Sequence, residues 1–343
     1  MIRIVELAPD LAPGWSNYVA EAPAATIAHE LNWSRVMSDG LGHRPLYRLA
    51  IDDDRVVGVL PMVLIKTWWQ TRYLISLPWI DYGGVLADNG EVEAMLYEEA
   101  RRLTKEMKAK FAEFRTATAG AFNLALLKNK VTFLLKLADD PDEIWKGFDA
   151  KLRNQIRKAE KSDLETAFAG IEGLPEFYKV FAYNMRDLGT PVWGYGFFKS
   201  ILESFPETAR IILVKKGNLT IASGLVLRFK DRLYVPSASA YRSFLKYCPN
   251  HALYWAVIKK GCEEGHKLFD FGRSAIDSST YKFKIQWVPQ PTQLTWQYYL
   301  WRIGEIPAIN PHNPKYRLFI NMWQRLPLPI ANFLGPKLIK NFP

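Results

Sequence analysis

The chain has 343 residues, of which 49% are hydrophobic and 23% are charged, and its formal net charge is +10. This length suffices for two domains, and the balance of apolar and charged residues excludes an intrinsically disordered chain. The positive charge favours anionic partners such as RNA, nucleotide-linked substrates or acidic lipid headgroups, without choosing among them.

Several common classes of protein are disfavoured by what the sequence lacks. The amino terminus has acidic residues early and no apolar core, so we expect no signal peptide. No apolar run approaches the roughly 18 residues of a membrane span. The two cysteines lack a CxxC spacing and the five histidines lack a metal-ligand spacing, which favours a reduced cytoplasmic protein without a metal site.

The first part of the chain has the element order of a mixed α/β domain. Alternating apolar runs predict strands over residues 2–7, 46–51, 55–65, 73–77, 111–115 and 131–137. Asp52, Asp53 and Asp54 predict a hairpin turn between the second and third of these strands. Apolar residues at helical spacing predict helices over 13–20, 29–37 and 91–110. We therefore expect a first domain over residues 1–137.

The same order of elements recurs in residues 138–305, which we predict to form a second domain. Helices are predicted over 141–148, 152–161, 174–188, 195–205 and 250–264, and strands over 164–168, 210–215, 220–229, 233–238 and 267–271. The hairpin sequences RLAIDDDRVVGVLPM and VKKGNLTIASGLVLR can be aligned so that Gly58 matches Gly224. This repetition indicates two copies of one α/β unit. A last strand over 293–300 is expected to pair back onto the sheet.

The tail over residues 306–343 differs in character from the rest of the chain. It contains no Asp or Glu, carries several Lys, Arg and large apolar residues, and is divided by prolines into short helices. Such a basic, apolar tail can lie on an anionic membrane surface, or it can pack against the second domain. The sequence leaves both alternatives open.

The stretch FDFGRSAIDSSTYKFKIQW, residues 269–287, is the strongest candidate for a site. A short strand is followed by Gly272, by a polar loop, and by a helical segment that carries Lys284. Cations and hydroxyls thus gather at the carboxyl end of a strand and at the amino end of a helix, where α/β folds tend to bind ligands. The alternative is a solvated loop after a core strand.

A second concentration of cations is KLRNQIRKAEK, residues 151–161. On a helix, Arg153, Arg157 and Lys161 form one stripe beside the buried one, where like charges repel one another. A ligand phosphate or an RNA backbone would reverse that cost, and the alternative is a solvated helix face. The sequence has no catalytic-triad motif, phosphate-binding loop or dinucleotide-binding glycine motif.

Four segments stand out in combination: KLRNQIRKAEK, LGTPV at 188–192, CPNHALYW at 248–255, and FDFGRS…STYKFKIQW. Together they resemble the FemAB family, which are tandem-domain relatives of the GNAT acyltransferases. LPWIDYGG in the first half and NPKYRLFINMWQRLPL in the tail are similar to the FemAB-like proteins of exosortase (PEP-CTERM) and exopolysaccharide systems. Val288 departs from the family pattern, which usually has Gly after this Trp.

The resemblance implies an α/β (mixed α+β) fold of two tandem GNAT-like acyltransferase domains, each a mixed sheet flanked by helices, with a basic helical tail. Donor and acceptor sites would lie in and beside the cleft between the domains. It also implies transfer of an amino acid from aminoacyl-tRNA to an amine of a nucleotide- or lipid-linked peptidoglycan precursor. The lysine of the family's Tyr-x-Phe-Lys motif falls on Lys284, where a fixed cation would stabilise the oxyanion of ester aminolysis.

Further residues receive roles on the same basis. Arg273 would bind a phosphate or carboxylate as a bidentate fork, and Tyr281 and Ser279 would orient the substrate. Asp270 would either tether Arg273 or be a plain strand-end acid. The catalytic candidates are therefore Lys284, Arg273 and Tyr281, and the substrate-binding candidates are Arg153, Arg157, Ser274, Ser279, Asp270, Asn250 and Thr190.

The choice of donor rests on a missing motif. GNAT enzymes that use acetyl-CoA usually have a Q/R-x-x-G-x-G/A segment after the fourth strand, whose amides grip the pyrophosphate. The corresponding region here reads YRSFLKYCPNHALYW and has no glycine. The missing glycines favour a carrier other than CoA, and the FemAB resemblance implies that this carrier is an aminoacyl-tRNA. We therefore expect no resident cofactor.

The sequence thus predicts an acyltransferase, of the aminoacyltransferase type, that forms an amide on an amine of a cell-envelope, peptidoglycan or exopolysaccharide precursor. One alternative is an N-acyltransferase that uses CoA or an acyl carrier protein on a small amine. Another is a non-catalytic protein that recruits partners to a membrane surface. A cytoplasmic location is expected, at the inner face of the membrane if residues 306–343 make a peripheral membrane contact.

Overall fold

A computed structural model describes residues 1–116, 122, 124–288, 290–307 and 314–342. The chain divides into two units. The first comprises Met1–Lys130, Gln293–Ile309 and Lys340–Pro343, and the second comprises Val131–Thr292 and Asn310–Ile339. In the parts of the chain that the structure describes, no helix is long and apolar enough to cross a lipid bilayer.

The first unit is built on a mixed sheet. Its strands are β1 (Ile2–Glu6), β2 (Arg44–Asp52), β3 (Arg55–Lys66), β4 (Arg72–Ser76), β5 (Leu86–Ala87), β6 (Phe111–Thr116), β7 (Ala125–Thr132) and β15 (Thr292–Leu300). Its helices are α1 (Ala12–Glu21), α2 (Trp33–Arg35) and α3 (Gly90–Glu106). The strand order is β1-β2-β3-β4-β6-β15-β7, with β5 beside β3. Strands β4 and β6 run parallel, whereas β1 to β4 form an antiparallel meander.

The second unit has a sheet with the strand order β8-β13-β12-β11-β10-β9. These strands are β8 (Leu134–Lys136), β9 (Leu164–Ala169), β10 (Ala209–Lys216), β11 (Leu219–Phe229), β12 (Arg232–Ala240) and β13 (Leu268–Asp270), and the short strand β14 (Ser274–Ala275) follows. Its helices are α4 (Pro141–Gly147), α5 (Ala150–Glu160), α6 (Leu174–Asp187), α7 (Tyr195–Ser204), α8 (Pro249–Glu263), α9 (Ser279–Lys284), α10 (Pro314–Gln324) and α11 (Leu328–Ile339).

The two sheets share one topology. In each, a four-stranded antiparallel meander leads through a helix, α3 or α8, to a fifth strand that runs parallel to the fourth. A sixth strand, β15 or β8, then pairs antiparallel with the fifth. The predicted mixed α/β fold of two repeated units is therefore confirmed.

The aligned glycines of the two hairpins occupy equivalent positions. Gly58 on β3 pairs with Ala50, and Gly224 on β11 pairs with Ile212. A Cβ on Gly58 would lie 2.8 Å from Cγ1 of Val92 on α3, and one on Gly224 would lie 3.4 Å from Cδ1 of Leu253 on α8. The absence of a side chain thus lets α3 pack closely on its hairpin at Gly58, whereas the contact of Gly224 with α8 is of ordinary length.

The predicted domain boundaries place the sixth strands, β15 and β8, in the wrong units. The prediction places residues 293–305 in the second domain, but β15 pairs with β6 of the first sheet, with Leu300 opposite Phe111. The prediction also extends the first domain to residue 137, but β8 pairs with β13 of the second sheet. An alternating apolar pattern predicts a strand without specifying its partner, because register and pairing depend on tertiary packing.

The tail does not form a unit of its own, because α10 and α11 pack on the second unit. Trp323 of α10 and Ala331 of α11 are buried, and a Cβ on Gly189 would lie 2.5 Å from Cγ2 of Ile320. After α11 the chain joins the first unit, where the Asn341 Oδ1 atom accepts a hydrogen bond from the amide of Trp68. The alternative in which the tail packs against the second domain is therefore correct for one face of α10 and α11.

Candidate active site

The site is organised around the turn that ends β13. Gly272 adopts a φ of +73°, a left-handed conformation that favours glycine. The Asp270 Oδ1 atom accepts hydrogen bonds from the Gly272 amide at 2.8 Å and from the Thr132 hydroxyl at 2.6 Å. Because Asp270 is only 5% exposed, these bonds satisfy buried donors and fix the direction of the chain after the strand.

Helix α9 then places Lys284 beside this turn. Ser278 is the N-cap of this helix, and its hydroxyl accepts a hydrogen bond from the Tyr281 amide at 3.1 Å. The aromatic side chains that anchor it in the apolar core are those of Tyr281, Phe283 and Trp287. A polar loop and a short helix were predicted here, and both are present.

The Lys284 ammonium is fixed by two main-chain carbonyls. Its Nζ atom donates to the carbonyl oxygens of Gly272 at 2.8 Å and of Arg273 at 3.0 Å. The residue is only 7% exposed. A buried cation needs such partners because its loss of hydration is otherwise costly. The geometry therefore holds a positive charge at one defined position.

Lys284 contributes to the wall of a cavity of about 500 Å³ within the second unit. The lining residues come from the end of α6 and the residue after it, the end of β12, the segment Arg242–Tyr247, the first half of α8, and α9. They are Asn184, Asp187, Leu188, Ala238, Ser239, Ala240, Arg242, Leu245, Asn250, Tyr254, Ser279, Thr280, Phe283 and Lys284.

The cavity follows from the divergence of two parallel strands. The register of β12 with β13 covers only Arg232 to Tyr234, opposite Leu268 to Asp270. Beyond this point β12 continues along β11 as far as Ala240, whereas β13 has ended and the chain turns at Gly272. The carboxyl ends of the strands thus leave space for a ligand, as is common in open α/β sheets.

The polar lining of the cavity combines hydrogen-bonding groups with charges. The Asn184 amide donates to the Ser239 hydroxyl at 3.1 Å. The buried Asn250 Oδ1 atom has no hydrogen-bond partner within the described part of the chain, so it can accept one from a ligand. Arg242 adds an exposed cation, and Asp187 adds a carboxylate.

Ionisable groups around the cavity are held in their neutral forms by burial. Burial raises the pKa of the Tyr254 phenol and that of the Cys248 thiol above their ordinary values. It also lowers the pKa of His251, which packs against Phe283 and Trp287, to about 4. The Cys248 thiol donates a hydrogen bond to the Gln155 Oε1 atom at 2.8 Å and keeps its proton, so it lacks the thiolate character of a nucleophile.

The structure brings together some of the predicted site residues. Lys284, Ser279 and Asn250 line the cavity, and the main-chain carbonyl of Arg273 supports Lys284. The half-buried Tyr281 packs edge-on against Phe133, with ring centroids 5.4 Å apart. Three of the predicted site residues thus line one cavity, and a fourth, Arg273, supports Lys284 through its main chain.

Two candidates next to the turn, the hydroxyl residue Ser274 and the acidic residue Asp270, are buried. Ser274 is 3% exposed, and its hydroxyl has no hydrogen-bond partner among the residues that the structure describes. Asp270 supports the turn at Gly272 through the bonds described above. Tethering of Arg273 by Asp270 stays a prediction.

Three other candidates are not among the residues that line this cavity. Arg153 and Arg157 are on α5, where Arg157 is exposed and its guanidinium carbon lies 5.3 Å from the centroid of the Trp145 ring. The buried stripe of this helix is the predicted one, Leu152, Ile156 and Ala159. Thr190 lies in the loop after α6, where its amide donates to the Met185 carbonyl at 3.0 Å.

Sequence reasoning missed several residues of the lining. Arg242 lies in the segment that lacks the CoA-binding glycines, and Asp187 directly precedes the LGTPV segment. Asn184 and Ser239 have no local signal, because a polar residue on a helix or strand is usually solvated. Their roles appear only when α6 and β12 are packed side by side.

The segment before α8 has the conformation that its sequence suggests. Arg242–Tyr247 is a 3-10 helix, Cys248 adopts a φ of +56°, and α8 begins with Pro249, which has no N–H to donate. Within the described residues, no cluster of His, Cys, Asp and Glu side chains could hold a metal ion.

Residues 146–284 match a protein-family model described as an acetyltransferase (GNAT) domain. This part of the second unit is a GNAT-type domain. The matched residues extend from the end of α4 to Lys284 itself, and they include β12, α8 and α9. No curated protein sequence matches the chain.

Solved structures share the tandem fold. FemX is 14% identical, with 93% of this chain and 100% of that chain covered at a TM-score of 0.65. A tandem GNAT protein from the clavulanic acid biosynthesis pathway is 13% identical, with coverages of 88% and 98% and a TM-score of 0.54. L-PGS from Bacillus licheniformis is 13% identical, with coverages of 94% and 98% and a TM-score of 0.57. At these identities the likeness establishes the fold, which is that of tandem GNAT proteins.

Proposed function

We propose that the chain is an acyltransferase, of the aminoacyltransferase type, that forms an amide on an amine of a cell-envelope, peptidoglycan or exopolysaccharide precursor. The observation that carries this proposal is the Lys284 ammonium, fixed by two carbonyls at the wall of the cavity. The GNAT-type domain and the fold shared with FemX support it. The fold shared with the C-terminal domain of a protein from Agrobacterium fabrum supports only the aminoacyl part of the proposal, because the name lysylphosphatidylglycerol synthetase joins an amino acid to a lipid.

In the proposed reaction, the acceptor amine attacks the carbonyl carbon of an ester donor. The negative charge that develops on the carbonyl oxygen is stabilised by the Lys284 ammonium. The C–O bond of the ester then breaks, and the leaving alkoxide takes the proton that the attacking nitrogen loses, so the products are an amide and an alcohol. This proton transfer needs no strong base, and among the described residues no histidine lines the cavity.

The other predicted residues have proposed roles that follow their positions. Ser279 and Asn250, which line the cavity, contact the substrate directly. Arg273 binds a phosphate or carboxylate of the substrate beside Lys284, and Tyr281 orients the substrate. Asp270 and Ser274 support the turn at Gly272, and Thr190 contacts a part of the substrate that extends beyond the cavity. Arg153 and Arg157 on α5 bind phosphates of a larger donor, such as an aminoacyl-tRNA, outside the cavity. A relationship to the FemAB-like proteins of exosortase systems belongs to the same proposal.

A thioester donor defines the second candidate function. The family match is to an acetyltransferase domain, and the clavulanic acid pathway protein of the same fold is described as a structure without AcCoA, which together favour acyl-CoA or an acyl carrier protein as donor. Two features argue against this donor: the segment before α8 has no glycine, and α8 begins with Pro249, which has no N–H. The start of α8 therefore lacks the glycine-rich turn whose amides usually bind the CoA pyrophosphate.

A panel of labelled donors distinguishes these functions. Aminoacyl-tRNAs and acyl-CoAs are offered with nucleotide- and lipid-linked envelope precursors, and transferred label is measured with and without ribonuclease. Ribonuclease-sensitive transfer that is lost in Lys284→Ala and Arg273→Ala supports the first function. Thiol release that is insensitive to ribonuclease supports the second. Unchanged turnover in both variants would contradict a catalytic role for this site.

A further inference from the structure

The helices of the tail present two different faces. The inner face holds α10 and α11 to the second unit, because Trp323 and Ala331 are 4% and 2% exposed. A Cβ on Gly335 would lie 2.8 Å from Cγ1 of Val192, which shows how closely α11 approaches the loop after α6. The side-chain amide of Gln324 also donates a hydrogen bond to the main-chain carbonyl of Asp187 at 2.9 Å. The helices are therefore anchored, and their outer face has a defined position.

The outer face is apolar to a degree that a solvated helix surface is not. Its large apolar side chains are Leu318, Phe319, Met322, Ile330, Phe333 and Leu334, which are 62%, 41%, 62%, 45%, 64% and 37% exposed. Their spacing of three and four residues puts them on one stripe of each helix. Such a concentration of exposed apolar groups marks an interaction surface rather than scattered surface residues.

The charges of this segment have one sign. No Asp or Glu occurs from residue 306 to residue 343. Arg317, Arg325 and Lys337 are exposed, and the Lys337 ammonium lies 3.6 Å from the centroid of the Phe333 ring. An amphipathic element with apolar side chains and cations together suits an anionic lipid surface, since the apolar groups enter the interface and the cations contact the headgroups.

We propose that α10 and α11 form a membrane-docking surface that holds the protein on anionic lipid. A second copy of the chain fits less well, because contact between two such surfaces would bring cations together without an acidic partner. RNA would satisfy the cations, but not the exposed Leu318, Met322 and Phe333. The inference does not depend on the reaction that the cavity performs.

Cosedimentation of the full chain with lipid vesicles tests the proposal. The expected result is binding to vesicles of phosphatidylcholine mixed with phosphatidylglycerol, weak binding to phosphatidylcholine alone, and a decrease in affinity as salt is raised. Leu318→Ser/Met322→Ser/Phe333→Ser should weaken binding at least tenfold. Arg317→Gln/Arg325→Gln/Lys337→Gln should weaken it about 100-fold, at about fivefold per cation near the surface.

Matched variants control for the number of substitutions. Leu126, Ile171 and Leu219 are also exposed apolar residues, at 41%, 44% and 42%, and they lie outside the tail, so their replacement by Ser should leave binding unchanged. Lys105→Gln/Lys108→Gln/Lys158→Gln is the corresponding control for charge. Thermal unfolding identifies any variant that has lost its fold.

Three results would overturn the proposal. The first is a failure of the wild-type chain to bind anionic vesicles. The second is equal binding by folded tail variants and the wild-type chain. The third is a dimer in lipid-free solution that dissociates when Leu318, Met322 and Phe333 are replaced by Ser. This result would identify a second copy of the chain as the partner of the tail surface.

Discussion

The Lys284 ammonium donates a hydrogen bond to the Gly272 carbonyl at 2.8 Å, which joins helix α9 to the turn after β13. The carbonyl points toward the lysine because Gly272 adopts a left-handed conformation that the Asp270 carboxylate stabilises. The position of the cation thus depends on a chain of contacts from a buried acid to a glycine turn. This arrangement makes the site sensitive to residues that need not touch a substrate.

Replacement of Lys284 by methionine tests the proposed stabilisation of the oxyanion. The substitution keeps much of the side-chain volume and removes the charge, and we expect kcat to fall about 10²- to 10³-fold, the usual cost of losing one oxyanion contact. Lys282→Met on the exposed side of the same helix is the control and should keep nearly full activity. A folded Lys284→Met protein with kcat close to that of the wild type would rule out this role.

Asp270 should contribute to stability through the donors that it satisfies. Asp270→Ala leaves the Gly272 amide and the Thr132 hydroxyl without this acceptor in a buried place, so we expect the free energy of unfolding to fall by about 2 kcal/mol. Thr132→Val removes only one of the two donors and should cost less, about 1 kcal/mol. Denaturant unfolding of both variants measures the difference, and an equal cost would contradict this division.

Asn250 should affect binding but not stability. Its Oδ1 atom has no partner within the described residues, so Asn250→Ala removes no hydrogen bond of this oxygen there and should raise KM while the unfolding midpoint stays close to that of the wild type. Asn184→Ala is the contrasting variant, because it breaks the bond to Ser239 and should lower stability by about 1 kcal/mol. Steady-state kinetics and thermal unfolding on both variants separate the two roles; a KM unchanged by Asn250→Ala would exclude substrate contact.

Buried histidines should make stability fall in mild acid. Burial lowers the pKa of His251 from its ordinary value of 6.5 to about 4, and burial with the nearby Lys340 does the same for His43. Between these pH values the unfolded chain binds more protons than the folded one, so stability is complete above pH 6.5 and is lost as pH falls toward 4. Each histidine can contribute up to about 3 kcal/mol to this loss.

His251→Phe should therefore make the stability of the second unit less dependent on pH, while the first unit retains the contribution of His43. His43→Phe should do the reverse. Denaturant unfolding at a series of pH values between 4 and 7 measures both effects. The same slope in His251→Phe as in the wild type would show that this imidazole does not titrate as its burial requires.

A side chain at Gly58 should disturb the packing of α3 on β3. The added Cβ would lie 2.8 Å from Val92 Cγ1 and 3.0 Å from Leu96 Cδ1, and we expect Gly58→Ala to destabilise the first unit by about 1–3 kcal/mol. Gly90→Ala at the start of α3 is the control, because no atom lies within 4 Å of its added Cβ. Calorimetry of the two variants should show a lowered transition only for Gly58→Ala.

Much of the fold could be predicted because the local patterns are strong. The apolar stripe of α3, the buried face of α5 and the alternating hairpin strands are determined by periodicity. The same holds for the beginning of the site, where Gly272 and Ser278 are types of residue that turns and N-caps require. The sequence could not show that Arg153 and Arg157 are separate from this cavity, because a charged stripe does not reveal which surface it faces.

The spacing and type of neighbouring residues are sufficient to predict two repeated α/β units and a basic apolar tail, and the resemblance to the FemAB family selects Lys284 as the candidate lysine. The tertiary structure decided which sheet β8 and β15 complete, since strand pairing over long separations has no local signature. It also decided that Asn184 and Ser239 share a cavity with Lys284. That space exists because two parallel strands pair over three residues and then separate, which only the packed sheet can show.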